Sequence, residues 1–81
     1  MKVKVYSTPA CPYCYALKDF LRERNIEFED IDVSVDQQAA EEMIQKSGQM
    51  GVPVTEINGE IVVGFDKEKL EKLLNIKNEK K

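Results

Sequence analysis

The sequence predicts an α/β domain of element order β-α-β-α-β-β-α, a four-stranded mixed sheet with helices on both faces. Three observations carry this reading. Stretches that alternate apolar and polar residues take turns with stretches whose apolar residues recur every three or four positions, the periods of strand and helix. A strand, helix, strand unit in the first half requires a right-handed crossover, so its two strands lie parallel. Two β-like runs flank Asn58-Gly59, a strong hairpin signal, so the last two strands lie antiparallel.

Taken in order, Lys2 to Tyr6 alternates as a strand does, and Ser7-Thr8-Pro9-Ala10 breaks it. A helix follows from about Pro12 to Arg24, with Leu17, Phe20 and Leu21 as its apolar stripe and Asn25 as its stop. A second strand is expected from Glu27 to Val33. Ser34-Val35-Asp36-Gln37 reads as a capping box with Ser34 as the N-cap, Asp36 being the alternative. The helix behind it carries Ala40, Met43, Ile44 and Ser47 inward and ends at a left-handed Gly48. Gln49 to Ile57 is a loop running into a strand, and Glu60 to Val63 is the strand beyond the turn. Asp66 caps a last helix carrying Leu70, Leu73 and Leu74, with Phe65 and Leu70 at the two positions of a hydrophobic staple.

Eighty-one residues make one small domain, expected to span residues 1–76, with a charged tail over 77–81. The run Met1-Lys2-Val3-Lys4-Val5 is too short for a secretory signal and no apolar stretch approaches about eighteen residues, so a cytoplasmic protein is expected. Twelve basic against fifteen acidic side chains leave a net charge of −3, with no basic field for nucleic acid. Glu27, Glu29, Asp30 and Asp32 alternate with Ile26, Phe28 and Ile31, which reads as the wet side of a strand rather than as a cation site. The basic tail from Lys77 to Lys81 reads as a fraying end, not a membrane contact.

The chemistry is concentrated in Cys11-Pro12-Tyr13-Cys14, which holds the only two cysteines. Their spacing admits a reversible disulfide or half of a metal site. Zinc would need two more ligands, and with no histidine and no second cysteine pair these would have to come from a dimer sharing four thiolates or from another molecule's ligands. If the helix starts at Pro12, Cys11 meets its free N–H groups and the positive end of its dipole. Cys11 then has the lowered pKa of a nucleophile, in the range of about 3.5–7.5, and Cys14, one turn inward, resolves. Asp19 falls off the apolar stripe and is expected to face solvent.

With Cys-Pro-Tyr-Cys between the first strand and first helix, Gly51-Val52-Pro53 before the third strand and Gly64-Phe65-Asp66 after the fourth, the chain resembles the glutaredoxin family of the thioredoxin fold. The resemblance runs from about Lys2 to Leu74. It implies a glutaredoxin-like domain that exchanges dithiol for disulfide: Cys11 attacks, Cys14 resolves, and the site needs no metal, flavin or nucleotide. A monomer is expected. The resemblance also implies a cis Pro53 facing the cysteines, and a substrate groove shaped by Thr8, Pro12, Tyr13, Val52, Pro53, Gly64, Phe65 and Asp66. Glutathione-using members commonly carry a basic residue three positions before the first cysteine, and often one just before Thr-Val-Pro. Here Thr8 and Met50 stand there. Thr8-Pro9-Ala10 and Gly64-Phe65 are similar to the redoxins that serve ribonucleotide reductase and are reduced by thioredoxin reductase. The expected donor is therefore a thioredoxin-reductase-like flavoprotein, with glutathione as the other candidate. A non-catalytic binding module using the Val52-Pro53 groove is the contrasting expectation.

Overall fold

The computed structural model describes residues 3–74, which form β1 (Val3–Ser7), α1 (Pro12–Glu23), β2 (Glu29–Asp32), α2 (Gln37–Ser47), β3 (Val54–Ile57), β4 (Glu60–Val63) and α3 (Lys67–Leu74). Lys2 and the expected tail at 77–81, with the domain limit at 76, lie outside the described residues. The strands form one sheet in the order β2-β1-β3-β4. β1 and β2 are parallel, as the crossover requires, and β3 runs antiparallel to both β1 and β4.

Side chains alternate across this sheet and sort the core into two halves. Val3, Val5, Ile57 and Val62 face α1 and α3, where Leu17, Phe20, Leu21, Leu70 and Leu74 close over them. Tyr6 and Val54 face α2 and meet Ala39 and Met43. Complete burial of a Leu such as Leu17, Leu21 or Leu70 contributes roughly 1.5–3 kcal/mol, so this packing, rather than the backbone preference of short helices, holds them. Phe65 meets Phe20 edge-on at 5.7 Å between centroids and packs on the same cluster as Leu70, as a staple does.

The element ends follow local chemistry. Asn25 stops α1 with a positive φ of 58°. Its N–H donates to the Arg22 carbonyl and that of Ile26 to the Leu21 carbonyl, both at 3.0 Å, the paired bonds of a Schellman ending. Gly48 closes α2 at φ 76°. β2 is shorter than the expected 27–33, because it is an edge strand and its ladder with β1 covers only Glu29 to Asp32. The N-cap of α2 is Asp36, whose carboxylate accepts the Ala39 N–H at 3.0 Å, and not Ser34. The Ser34 N–H and hydroxyl are both spent on the Asp32 carboxylate. Ala39, rather than the expected Ala40, is the buried alanine that packs with Met43, Ala40 being half-buried.

Candidate active site

The register gathers three separated segments at one end of the sheet. Tyr6 pairs with Val54, and Val54 with Val63. The chain leaving β1 toward the cysteines, the chain entering β3 through Val52-Pro53 and the chain leaving β4 through Gly64 therefore share an edge. The Gly64 N–H donates to the Pro53 carbonyl at 2.8 Å and ties two of these segments together. Gly64 turns at φ 77°, a conformation suited to a residue without Cβ. The Val52-Pro53 bond is cis, as the resemblance implied.

Cys11 is the N-cap of α1, in an extended conformation with φ −106° and ψ 107°. Pro12 takes the first helical position, where its missing N–H has no helical partner to lose. The Cys11 sulfur accepts the Cys14 N–H at 3.1 Å, and the Cys11 carbonyl accepts from the Cys14 and Tyr15 amides. No acidic residue occupies the first turn, so nothing there opposes a negative sulfur. The two Cα atoms are 5.2 Å apart, inside the range a disulfide spans, and the sulfurs are paired as one. Cys11 keeps 8% of its surface in solvent and Cys14 none, which makes Cys11 the one a substrate can reach.

Around this pair, Tyr13 and Pro12 are exposed, Thr8 and Val52 half-buried, and Pro53 buried. The Asp66 carboxylate accepts the Lys69 N–H at 3.2 Å as the cap of α3. Phe65 is half-buried, its ring packed on Phe20 and the core cluster as expected of a staple. Asp19 is exposed and paired with Arg22. Among the described residues no cluster of three or more metal-ligating side chains occurs.

One family model, Glutaredoxin, matches residues 3–62. The chain belongs to the glutaredoxin family. A glutaredoxin-like 8.6 kDa protein of the rubredoxin operon of Clostridium pasteurianum is 47% identical over 72 residues, covering 89% of this chain and 96% of that one. Among solved structures, the thioredoxin-like protein BC3987 superposes with a TM-score of 0.83 at 38% identity, covering 89% of this chain and 99% of that one. The glutaredoxin-like NrdH-redoxin of Escherichia coli superposes at 0.81 with 27% identity, covering 90% and 95%. Glutaredoxins are thiol–disulfide oxidoreductases with redox-active cysteines and glutathione as a common reductant. This glutaredoxin carries its redox pair at Cys11 and Cys14.

Between the chain leaving β1, α1 and β2 lies a feature that the motifs did not mark, a recess of about 220 Å³ lined by Ser7, Thr8, Pro9, Tyr15, Lys18, Asp30 and Asp32. Lys18 is 8% exposed, and its ammonium donates to Asp30 at 3.0 Å while Ser7 donates to the other oxygen of that carboxylate, also at 3.0 Å. Asp32 is held below the usual carboxylate range, first by the Ser34 hydroxyl and then by the Ser34 amide. The available signal was spacing. Lys18 lies four residues after Cys14 and three before Leu21, on the buried side of α1, where an unpaired ammonium would be too costly and a partner on β2 is required.

Proposed function

We propose that this glutaredoxin is a dithiol–disulfide electron carrier that reduces protein disulfides through Cys11 and Cys14, drawing electrons from a thioredoxin-reductase-like flavoprotein in preference to glutathione. The observation that carries the reading is the inequality of the two cysteines. Cys11 has an exposed edge and sits on free N–H groups, whereas Cys14 is buried one turn inward.

The Cys11 thiolate attacks one sulfur of a substrate disulfide, forming a Cys11–substrate bond and releasing the other sulfur as a thiolate. Cys14, once deprotonated, attacks the Cys11 sulfur, closes the Cys11–Cys14 disulfide and releases the second substrate thiolate. Two electrons pass from the cysteine pair to the substrate. Thr8, Pro12, Tyr13, Val52, Pro53, Gly64 and Asp66 form the wall against which an extended substrate segment lies, hydrogen-bonding to backbone beside Val52 as an added strand. Phe65 supports that wall from below. No helix among the described residues is long and apolar enough to cross a membrane. A cytoplasmic monomer is part of this proposal, as expected from the sequence.

The donor preference rests on Thr8 and Met50, which offer no positive charge for the carboxylates of glutathione. It is supported by similarity to NrdH-redoxin, a glutaredoxin-like protein with a thioredoxin-like activity profile. The substrate proposed, from the resemblance of Thr8-Pro9-Ala10 and Gly64-Phe65, is a protein disulfide such as that of ribonucleotide reductase. The test supplies oxidised protein, NADPH and insulin as disulfide substrate, with glutathione and glutathione reductase in one cuvette and thioredoxin reductase in another. Faster NADPH consumption with thioredoxin reductase, lost in Cys11→Ser, is expected. Equal rates for the parent and Cys11→Ser in both cuvettes would contradict the function, and a faster glutathione arm would contradict the donor.

A further inference from the structure

One residue grips the chain entering Cys11 at two points. Tyr15, in the first turns of α1, donates its backbone N–H to the Cys11 carbonyl at 3.3 Å, and its phenolic hydroxyl donates to the Pro9 carbonyl. The two acceptors bracket Ala10. A trans peptide holds its C=O and N–H antiparallel, so fixing the Pro9 carbonyl also fixes the direction of the Ala10 N–H. Pro9 has no N–H of its own, and both Pro9 and Ala10 are exposed, so this stretch has little packing to hold it. The Tyr15 ring is itself placed. The Lys18 ammonium lies 5.3 Å from its centroid, and Asp30 pins that ammonium. The contacts thus run from β2 through Lys18 and Tyr15 into the backbone of Cys11.

We propose that Tyr15 is a positioning residue for Cys11, its hydroxyl holding the Pro9-Ala10 peptide so that the Cys11 sulfur stays on the free N–H groups of α1. The inference rests on Cys11 being the nucleophile and adds what keeps it reactive. Capping requires the extended backbone seen at Cys11, because only then does the side chain reach back to the amide three residues on. Without the hydroxyl, the preceding peptide is free to rotate. Cys11 then spends time in conformations where its sulfur has left the Cys14 N–H, and the thiolate loses a hydrogen bond that favours it.

The test uses a Cys14→Ser background, in which only Cys11 titrates as a thiol, and follows thiolate absorbance near 240 nm against pH with and without Tyr15→Phe. Lys18 on α1, Asp30 and Asp32 on β2 and Asp66 before α3 are untouched by this change, so a shift cannot come from altered charge. The midpoint in Tyr15→Phe is expected about 0.5–1 pH unit higher, which means roughly three- to tenfold less thiolate at a pH below both midpoints. Tyr15 is half exposed, so the urea midpoint should hardly move. Tyr15→Met, lacking ring and hydroxyl, should shift the titration at least as far. Superimposable titrations, or lower midpoints in the variants, would overturn the role of Tyr15. An ordinary thiol midpoint already in Cys14→Ser alone would overturn the assignment of Cys11 instead, so the two failures are distinguishable.

Discussion

The Cys14 backbone amide donates to the Cys11 sulfur across 3.1 Å, so the fully buried cysteine of the pair is also a hydrogen-bond donor to the one that keeps an edge in solvent. In the reduced protein this contact favours a thiolate at Cys11 over one at Cys14, because a donor to sulfur stabilises its charged form and burial without one opposes it. Helix geometry thus makes the two positions unequal, an N-cap at one and a buried residue three positions on, which is the asymmetry the proposed roles of attacking and resolving thiol require.

The N-cap of α2 gives a direct check on the local structure. Asp36→Ala removes the carboxylate that holds the Ala39 amide and should lower stability by about 1 kcal/mol. Ser34→Ala, whose hydroxyl serves only Asp32, should cost clearly less. Urea unfolding of the two variants side by side measures the difference.

Thr55 lies on β3 between Val5 and Val62, fully buried, and its hydroxyl has no hydrogen-bond partner. A buried hydroxyl without a partner bears its desolvation cost uncompensated. Thr55→Val keeps the branched shape and the strand preference while removing that cost. It should raise stability by about 1 kcal/mol and the thermal midpoint by roughly 4–8 °C. A calorimetric scan of oxidised protein reads this, and a lower midpoint would show that the hydroxyl is satisfied.

The element order, the parallel and antiparallel pairings, the caps at Asn25, Gly48 and Asp66, and the place of Cys11 at the head of α1 were legible because each depends on neighbours in sequence. Where two caps competed, at Ser34 and Asp36, the deciding partner was Asp32, whose claim on Ser34 is a matter of turn geometry that a pattern of residue types does not contain. The recess lined by Thr8, Tyr15 and Lys18 was legible only in the place of Lys18 on the buried side of α1. Lys18 meets Asp30 twelve positions on, and the Tyr15 hydroxyl reaches back to the Pro9 backbone carbonyl, polar contacts whose partners periodicity does not name. Phe65 shows the reverse case: its staple position one residue before the Asp66 cap was legible locally, and its ring packs on Phe20 in the cluster that holds Leu70.

If the absence of charge at Thr8 and Met50 sets the donor, supplying charge should change it. Thr8→Lys with Met50→Arg places two cations on a half-buried and an exposed position, where long side chains are accommodated. Each charge-assisted hydrogen bond of roughly 1.5–3 kcal/mol would strengthen glutathione binding, together about a hundredfold or more. Reduction by glutathione should accelerate, and the gain should shrink with added salt because the new charges are partly solvated. Turnover unaltered by the double substitution would place glutathione recognition elsewhere on the surface.

The central claim is that the two cysteines are chemically unequal, and limited alkylation tests it most directly. Fully reduced protein is treated at pH 6 with a substoichiometric amount of iodoacetamide, quenched and digested, and the label at each cysteine is quantified by peptide mass spectrometry. Cys11 should carry nearly all of it, labelled at least about tenfold faster than Cys14, since it alone combines an exposed edge with the N–H groups at the start of α1. Equal labelling, or faster labelling of Cys14, would contradict the account.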